Sequence, residues 1–268
     1  MSNVKTIDGI TRHIPISRCN VEELAAYQRT AEPSGGVLFA RSKERVEKDA
    51  ARTRIVELLK RDVWPEHLTI LTMPGIEWKF ERELLGWREG KWSRLEVPAH
   101  TRFISIENDR AIYFAAINSS RMPGRLTPNA LLSVKSPPYF AEQAVKTKFV
   151  KRFYLANVDS LMEEALRDVN PYPYDVVWLD YTGPISIKRL NIIAAFYQRI
   201  VRRMLIVTVL KARWDRDTSA AIERAGGHSQ WLRKYLPGEV LHDLDYQDTA
   251  SPMTQLAIRR VRWQSPLV

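Results

Sequence analysis

The chain has 268 residues, of which 45% are hydrophobic and 27% are charged, and its formal net charge is +10. A chain of this length can bury a substantial core. It lacks an apolar stretch near the roughly 20 residues needed to span a membrane, and it lacks an apolar secretory leader, so we expect a cytoplasmic protein without a membrane partner. A single cysteine, Cys19, excludes an internal disulfide framework, and five scattered histidines predict no metal site.

Residues 1–66 predict an N-terminal helical extension. Asn20 suits the N-cap of a short helix over residues 21–30. Residues 42–63 predict a long amphipathic helix, because apolar residues recur among charged ones at helical spacing. That apolar stripe must be buried, and we expect the helix to cover one edge of the following sheet. A role for this extension in substrate recognition is the alternative.

Residues 67–268 predict one α/β domain, because short continuous apolar runs alternate with helical stretches, as in parallel sheets with crossover helices. Buried strands are predicted at 67–75, 101–109, 151–159, 174–181 and 204–213. Helices are predicted at 76–87, 110–118, 141–149, 160–169, 185–203, 218–226 and 229–236. The last two strands, at 239–247 and 253–263, have only a short connection and should pair antiparallel. The proline-rich residues 119–139 predict a long loop or lid.

Candidate site residues follow the predicted strands, because open α/β sheets bind ligands outside the carboxyl ends of their strands. The first strand ends at Thr72, Pro74 and Gly75, where the sequence is equally typical of a plain turn. The second predicted strand ends at Glu107, or Asp109 is the candidate if that strand is shorter. The third strand ends with Asn157 and Asp159, and the fourth with Asp180 and Tyr181. An ordinary helix N-cap is an alternative explanation for Asp159 and for Asp180.

Over residues 68–263 this order of strands, acidic residues and loops resembles the class I S-adenosylmethionine-dependent methyltransferases. The resemblance implies a Rossmann-like three-layer sandwich, with a mostly parallel seven-stranded sheet that ends in an antiparallel hairpin. It also implies S-adenosylmethionine as cofactor. Thr72, Pro74 and Gly75 would replace the family's glycine-rich loop, and Glu107 would bind the ribose hydroxyls.

The resemblance further implies that Asn157 and Asp159 read the adenine amino group, and that Asp180 and Tyr181 are catalytic residues that orient the methyl acceptor. The basic composition favours nucleic acid as the substrate, since arginine is suited to phosphate contacts. The arginines expected to track phosphates are Arg202, Arg203, Arg259, Arg260 and Arg262. The first loop has one glycine where the family shows two or three, so the alternative is a cofactor-less protein of the same fold that binds nucleic acid or a protein partner.

Overall fold

The computed structural model describes residues 46–65, 67–73, 79–84, 101–108, 157–181, 183–212, 215–248 and 251–261, and the backbone at 4–7, 10–13, 87–88, 91–92, 100, 127–128 and 150–155. In these residues, no helix has the length and apolar character that a membrane crossing requires.

The helices of the described residues are α1 (Val46–Arg61), α2 (Lys79–Leu84), α3 (Val158–Arg167), α4 (Ile187–Ile200), α5 (Arg216–Ala225) and α6 (His228–Tyr235). The strands are β1 (Val4–Ile7), β2 (Ile10–His13), β3 (His67–Thr72), β4 (Trp87–Arg88), β5 (Lys91–Trp92), β6 (His100–Glu107), β7 (Thr127–Pro128), β8 (Val150–Leu155), β9 (Tyr174–Asp180), β10 (Val201–Leu210), β11 (Glu239–Asp248) and β12 (Ser251–Arg259).

The main sheet has the strand order β11-β12-β10-β9-β3-β6-β8-β7. Its central strands are parallel, while β12 runs antiparallel to both β10 and β11. The prediction of a mostly parallel, Rossmann-like α/β sheet with a C-terminal antiparallel hairpin is therefore confirmed. Where seven strands were predicted, the described part of the sheet has eight, because the two-residue strand β7 pairs with the far side of β8.

Helices cover both faces of the sheet. On one face α1 and α2 pack on β3, β9 and β10, and Ile55, Val56 and Leu59 of α1 are at most 1% exposed. On the other face α3, α4 and α6 form the larger core. The helix predicted over residues 42–63 covers a face of the sheet, where Ile55 belongs to the same buried cluster as Ile70 and Ile206. It also meets the edge strand β11, since Ala51 packs with Tyr246 and Glu47 accepts a hydrogen bond of 2.5 Å from the Gln247 amide.

Several element boundaries differ from the prediction for identifiable reasons. The helix predicted to reach residue 203 ends at Ile200, because Val201 already pairs with Tyr174 of β9. The short strands β1, β2, β4, β5 and β7 were not predicted, and β1 and β2 form an antiparallel pair inside the extension predicted to be helical. The helices predicted at 21–30, 110–118 and 141–149 lie outside the described residues, as does the lid at 119–139 apart from β7.

Candidate active site

Three of the predicted site residues share one face and one edge of the sheet. Residues two apart in a strand point to the same face. Within β3, β6 and β9, the core beneath α1 and α2 contains Ile70, Phe103 and Trp178. The same alternation places Thr72, Glu107 and Asp180 on that face, where each is the last residue of its strand. Asp180, Thr72 and Glu107 therefore follow one another, in this order, along the carboxyl edge of three neighbouring strands.

Asp180 meets the side chain of Lys48 from the first turn of α1. The Lys48 Nζ atom lies 2.9 Å from Asp180 Oδ2 and 3.8 Å from Asp248 Oδ2. The three side chains are largely buried, with exposed fractions of 15%, 21% and 9% for Lys48, Asp180 and Asp248. The other oxygen of Asp180, Oδ1, is buried and accepts no hydrogen bond within the part of the chain that the structure describes. Asp180 thus has one oxygen bound to an ammonium group and one acceptor available for a further donor.

A chain of buried polar groups crosses three strands behind Asp180. Trp178 Nε1 and Gln255 Nε2 each donate a hydrogen bond of 3.2 Å to Thr208 Oγ1. Thr208 and Gln255 are at most 1% exposed, and Trp178 is 6% exposed. Because buried polar groups require partners, these bonds fix the positions of β9, β10 and β12 relative to one another below the site.

Thr72 belongs to a second buried cluster, at the exit of β3. Its Oγ1 donates to Glu81 Oε1 at 2.8 Å and lies 2.9 Å from Ser105 Oγ. All three side chains are at most 2% exposed. The hydroxyl group of Thr72 is therefore engaged inside the protein, where it joins β3 to α2 and β6. Pro74 and Gly75, which follow it in the predicted cofactor loop, lie outside the described residues, as does Asp109.

Tyr181 points to the opposite face from Asp180 and lies in the core beneath α3 and α4. Its hydroxyl donates to Asp159 Oδ1 at 2.9 Å, and Asp159 Oδ2 lies 2.6 Å from Arg189, whose guanidinium lies 5.2 Å from the centroid of the Tyr181 ring. Burial, followed by the negative charge of Asp159, raises the pKa of Tyr181 well above its usual value. Tyr181 is thus a neutral, 6% exposed side chain, and the structure does not bring it together with Asp180.

The exits of β6 and β8 carry the remaining candidates. Glu107 is half-buried at the end of β6, where it pairs with Leu155 of β8. Asn157 is the N-cap of α3, since its side chain accepts a hydrogen bond of 2.8 Å from the Asp159 amide. Asp159 itself occupies the first turn of that helix. The capping role considered for Asp159 is therefore filled by Asn157, and Asp159 is bound by Tyr181 and Arg189 instead.

The candidate site lies where the strand order reverses. From β3 the chain proceeds outward through β6 and β8 and then returns to β9 on the opposite side of β3. This is the order of a doubly wound sheet, in which ligands bind outside the carboxyl ends at the reversal. The antiparallel hairpin of β11 and β12 follows at the far edge. This strand order and terminal hairpin are those that the resemblance to class I methyltransferases implies.

Several solved structures are similar to the chain at low identity. Magnesium protoporphyrin IX methyltransferase from Synechocystis PCC 6803 has a TM-score of 0.45 and 12% identity, covering 90% of this chain and 94% of that chain. A putative methyltransferase from Escherichia coli has a TM-score of 0.43 and 12% identity, with coverages of 80% and 86%. The fibrillarin pre-rRNA processing protein of Methanococcus jannaschii has a TM-score of 0.41 and 13% identity, with coverages of 77% and 74%. No family model and no curated protein matches the sequence. Similarity at this level assigns no substrate to this chain.

Several residues of this site were not predicted from the sequence, among them Lys48, Glu81 and Arg189. Lys48 precedes Ala51, Ile55 and Leu59 at helical spacing, so its position on the buried stripe of α1 was a detectable signal. The sequence has no comparable signal for Glu81 or Arg189, whose partners Thr72 and Asp159 come from other elements.

Proposed function

We propose that the protein is an S-adenosylmethionine-dependent methyltransferase and that its acceptor is a nucleic acid. The observation that carries this proposal is the Asp180 carboxylate at the strand-order reversal, with its buried Oδ1 available and its Oδ2 bound to Lys48. A hydrogen-bond acceptor fixed in this way suits an amine or hydroxyl donor of a methyl acceptor, since orientation at near-attack distance supplies much of the acceleration of such reactions.

The residues of this edge also fit a nucleoside cofactor. Glu107 ends the strand beside β3, which is the position from which a carboxylate accepts hydrogen bonds from ribose hydroxyls in related dinucleotide sites. The cofactor, when bound, supplies an electrophilic methyl group on a sulfonium. Asp180 would orient the acceptor, and Lys48 would position Asp180. Tyr181, Asp159 and Arg189 would support the exit of β9 from the opposite face.

Nucleic acid is proposed as the acceptor because the chain carries a net charge of +10. Excess Lys and Arg attract phosphate backbones and supply most of the sequence-independent affinity for them. This assignment is separable from methyl transfer, and it is tested separately below.

A second candidate function is a cofactor-less protein of the same fold that binds nucleic acid or a protein partner. Two observations favour it. The first loop contains one glycine, Gly75, between Thr72 and Glu77. Asp159, the residue expected to read adenine, already has both carboxylate oxygens engaged by Tyr181 and Arg189.

Calorimetric titration with S-adenosylmethionine and S-adenosylhomocysteine separates the two functions. We expect micromolar binding by the wild-type protein, a loss of about tenfold or more in Glu107→Ala, which corresponds to about 1.4 kcal/mol, and wild-type affinity in the isosteric Asp180→Asn. Transfer of a labelled methyl group to RNA or DNA should be abolished in Asp180→Asn. Equal affinities in the wild type and Glu107→Ala would remove Glu107 from the site. Absence of binding to either ligand would favour the cofactor-less protein.

A further inference from the structure

A second concave site lies at the opposite edge of the sheet from Asp180. A cavity of about 910 Å³ opens where β3, β9 and β10 begin and β12 ends. Four arginines line it: Arg202, Arg203, Arg259 and Arg260. His67, the first residue of β3, lies on its wall. Four of the five arginines predicted to contact phosphates are therefore gathered in one cavity, although they come from two separate parts of the chain.

Two of these arginines donate hydrogen bonds to backbone carbonyl groups, and Arg203 also lies 3.9 Å from the Asp175 carboxylate. Arg203 Nη1 donates to the carbonyl oxygen of Val63 at 3.0 Å, and its Cζ lies 5.9 Å from the centroid of the Trp64 ring. Arg260 Nη1 donates to the carbonyl oxygen of Val201 at 2.8 Å. A carbonyl fixes the orientation of a guanidinium without cancelling its charge. Such guanidiniums keep further N–H groups for a ligand and lose less conformational entropy when they bind one.

Three carboxylates on the cavity wall oppose the arginines only in part. Arg259 is paired with Asp62 at 3.2 Å and with Glu239 at 3.3 Å, so this arginine is neutralised. Asp175 lies 3.9 Å from Arg203, but its Oδ2 accepts the backbone amide of Thr69 at 2.9 Å. The cavity lining therefore has four arginines against three carboxylates, an excess of one positive charge.

Arg202 supplies the most accessible part of that excess. It is exposed, and it makes no hydrogen bond or ion pair with any residue of the described segments. A guanidinium of this kind can form a bidentate contact with a phosphate without first breaking an internal interaction.

We propose that this cavity binds the phosphate backbone of a nucleic-acid strand. The arginines have the charge and the planar donor geometry that phosphate oxygens accept. A volume of about 910 Å³ is far larger than a single phosphate requires and is within the range of sites that hold whole nucleotides.

The position of the cavity determines how long a nucleic acid must be to reach both the cavity and Asp180. From Arg203 at the cavity, β10 runs to Thr208, which lies beside Asp180 in the register with β9. At about 3.3 Å per residue, the two positions are about 17 Å apart. A duplex rises about 3.4 Å per base step, so about five base steps separate a nucleotide at the cavity from one at Asp180. The contact of a nucleotide with Asp180 rests on the proposed function, whereas binding at the cavity does not.

The test is fluorescence anisotropy of labelled 12-nucleotide RNA and DNA with the full chain. Arg202→Ala alone and Arg202→Ala/Arg260→Ala should lower the affinity, and the double variant should lose tenfold or more. Each removed phosphate contact should also reduce the slope of log affinity against log salt concentration by about 0.7 to 0.9. The matched control is Arg224→Ala on α5, which removes the same charge outside the cavity and should change the affinity less than twofold.

The outcomes are decisive in both directions. Equal losses in Arg202→Ala and Arg224→Ala would overturn the proposal, as would a wild-type protein that binds neither oligonucleotide. Full competition by adenosine monophosphate or inorganic phosphate at micromolar concentration would also overturn it, in favour of a small-anion site. Arg202 makes no internal contact among the described residues, so its single variant should fold normally. The affinity of the same variants for S-adenosylmethionine, measured by calorimetry, should be unchanged. This measurement distinguishes failure of the present proposal from failure of the proposed enzymatic function.

Discussion

At the scale of single residues, the site depends on charges that are removed from water. Asp180 and Asp248 are both largely buried, and the ammonium group of Lys48 lies between them. Breaking a buried ion pair by removing one partner leaves an uncompensated charge, which is costly, whereas removing both partners is much less so. Lys48 therefore contributes to stability through the carboxylates that it neutralises.

We expect Lys48→Met to lower the free energy of unfolding by about 3 kcal/mol at neutral pH. The double variant Lys48→Met/Asp180→Asn should recover part of that loss, because the charge of Asp180 is then absent, whereas that of Asp248 remains. Urea unfolding of the wild type, both single variants and the double variant gives the coupling energy from a double-mutant cycle. A coupling energy of zero would show that the two side chains do not interact in solution.

Gly238 provides a second prediction at the residue scale. A Cβ atom at this position would lie 2.4 Å from the carbonyl oxygen of Arg259 and 2.6 Å from Ile258 Cγ2, so the backbone of β12 would have to move. We expect Gly238→Ala to destabilise the protein by about 1–3 kcal/mol, as overpacking typically does. Gly183→Ala is the control, since a Cβ there meets nothing within 4 Å. Similar thermal unfolding of the two variants would contradict the close packing of Gly238 against β12.

At the scale of elements, α1 is part of the main core. Ile55 is completely buried in the cluster that also contains Ile70 of β3 and Ile206 of β10. The apolar periodicity of residues 42–63 was sufficient to predict this helix and to require that one side be buried. That it would also cover a face of the sheet was not predictable, because periodicity identifies which side is apolar and not what packs against it.

Ile55→Ala should therefore destabilise the whole domain, by about 2–5 kcal/mol, through lost burial and the cavity that remains. Val63→Ala is the matched control, because Val63 is 83% exposed, and it should change the stability by less than about 0.5 kcal/mol. The measurement is denaturant unfolding followed by tryptophan fluorescence. If Ile55→Ala unfolds like Val63→Ala, then α1 does not pack on the sheet in solution.

At the scale of the whole molecule, stability should depend on pH through two half-buried histidines, His228 near β10 and His242 on β11. Burial lowers the pKa of both side chains; the charge of Lys211 acts in the same direction on His228, and Arg54 on His242. In the unfolded chain, both histidines titrate near pH 6.5. Because the folded pKa is the lower one, their contribution is fully present above the unfolded pKa and is lost as pH falls through the folded pKa.

We therefore expect the free energy of unfolding to fall as the pH is lowered from 7.5 to 5.5. Urea unfolding at three pH values in this range measures the trend. His242→Gln should flatten it. A stability that rises on acidification over this range would contradict the depressed pKa values of His228 and His242.

The sequence by itself determined the alternation of buried strands with helices, the antiparallel hairpin and the residues that end the strands, including Glu107 and Asp180. These features are local, since the apolar period and the residue types at strand ends are properties of short segments. Sequence reasoning was therefore sufficient to predict a Rossmann-like sheet and the edge at which a site should lie.

Only the tertiary structure decided which of these residues meet. Asp180 and Tyr181 are adjacent in sequence, yet they occupy opposite faces because side chains alternate along a strand. Lys48 reaches Asp180 across more than a hundred residues of chain, and Tyr174 ends α4 early by pairing with Val201. Contacts of this kind depend on the packing of segments that are distant in sequence, so no pattern within one segment contains them.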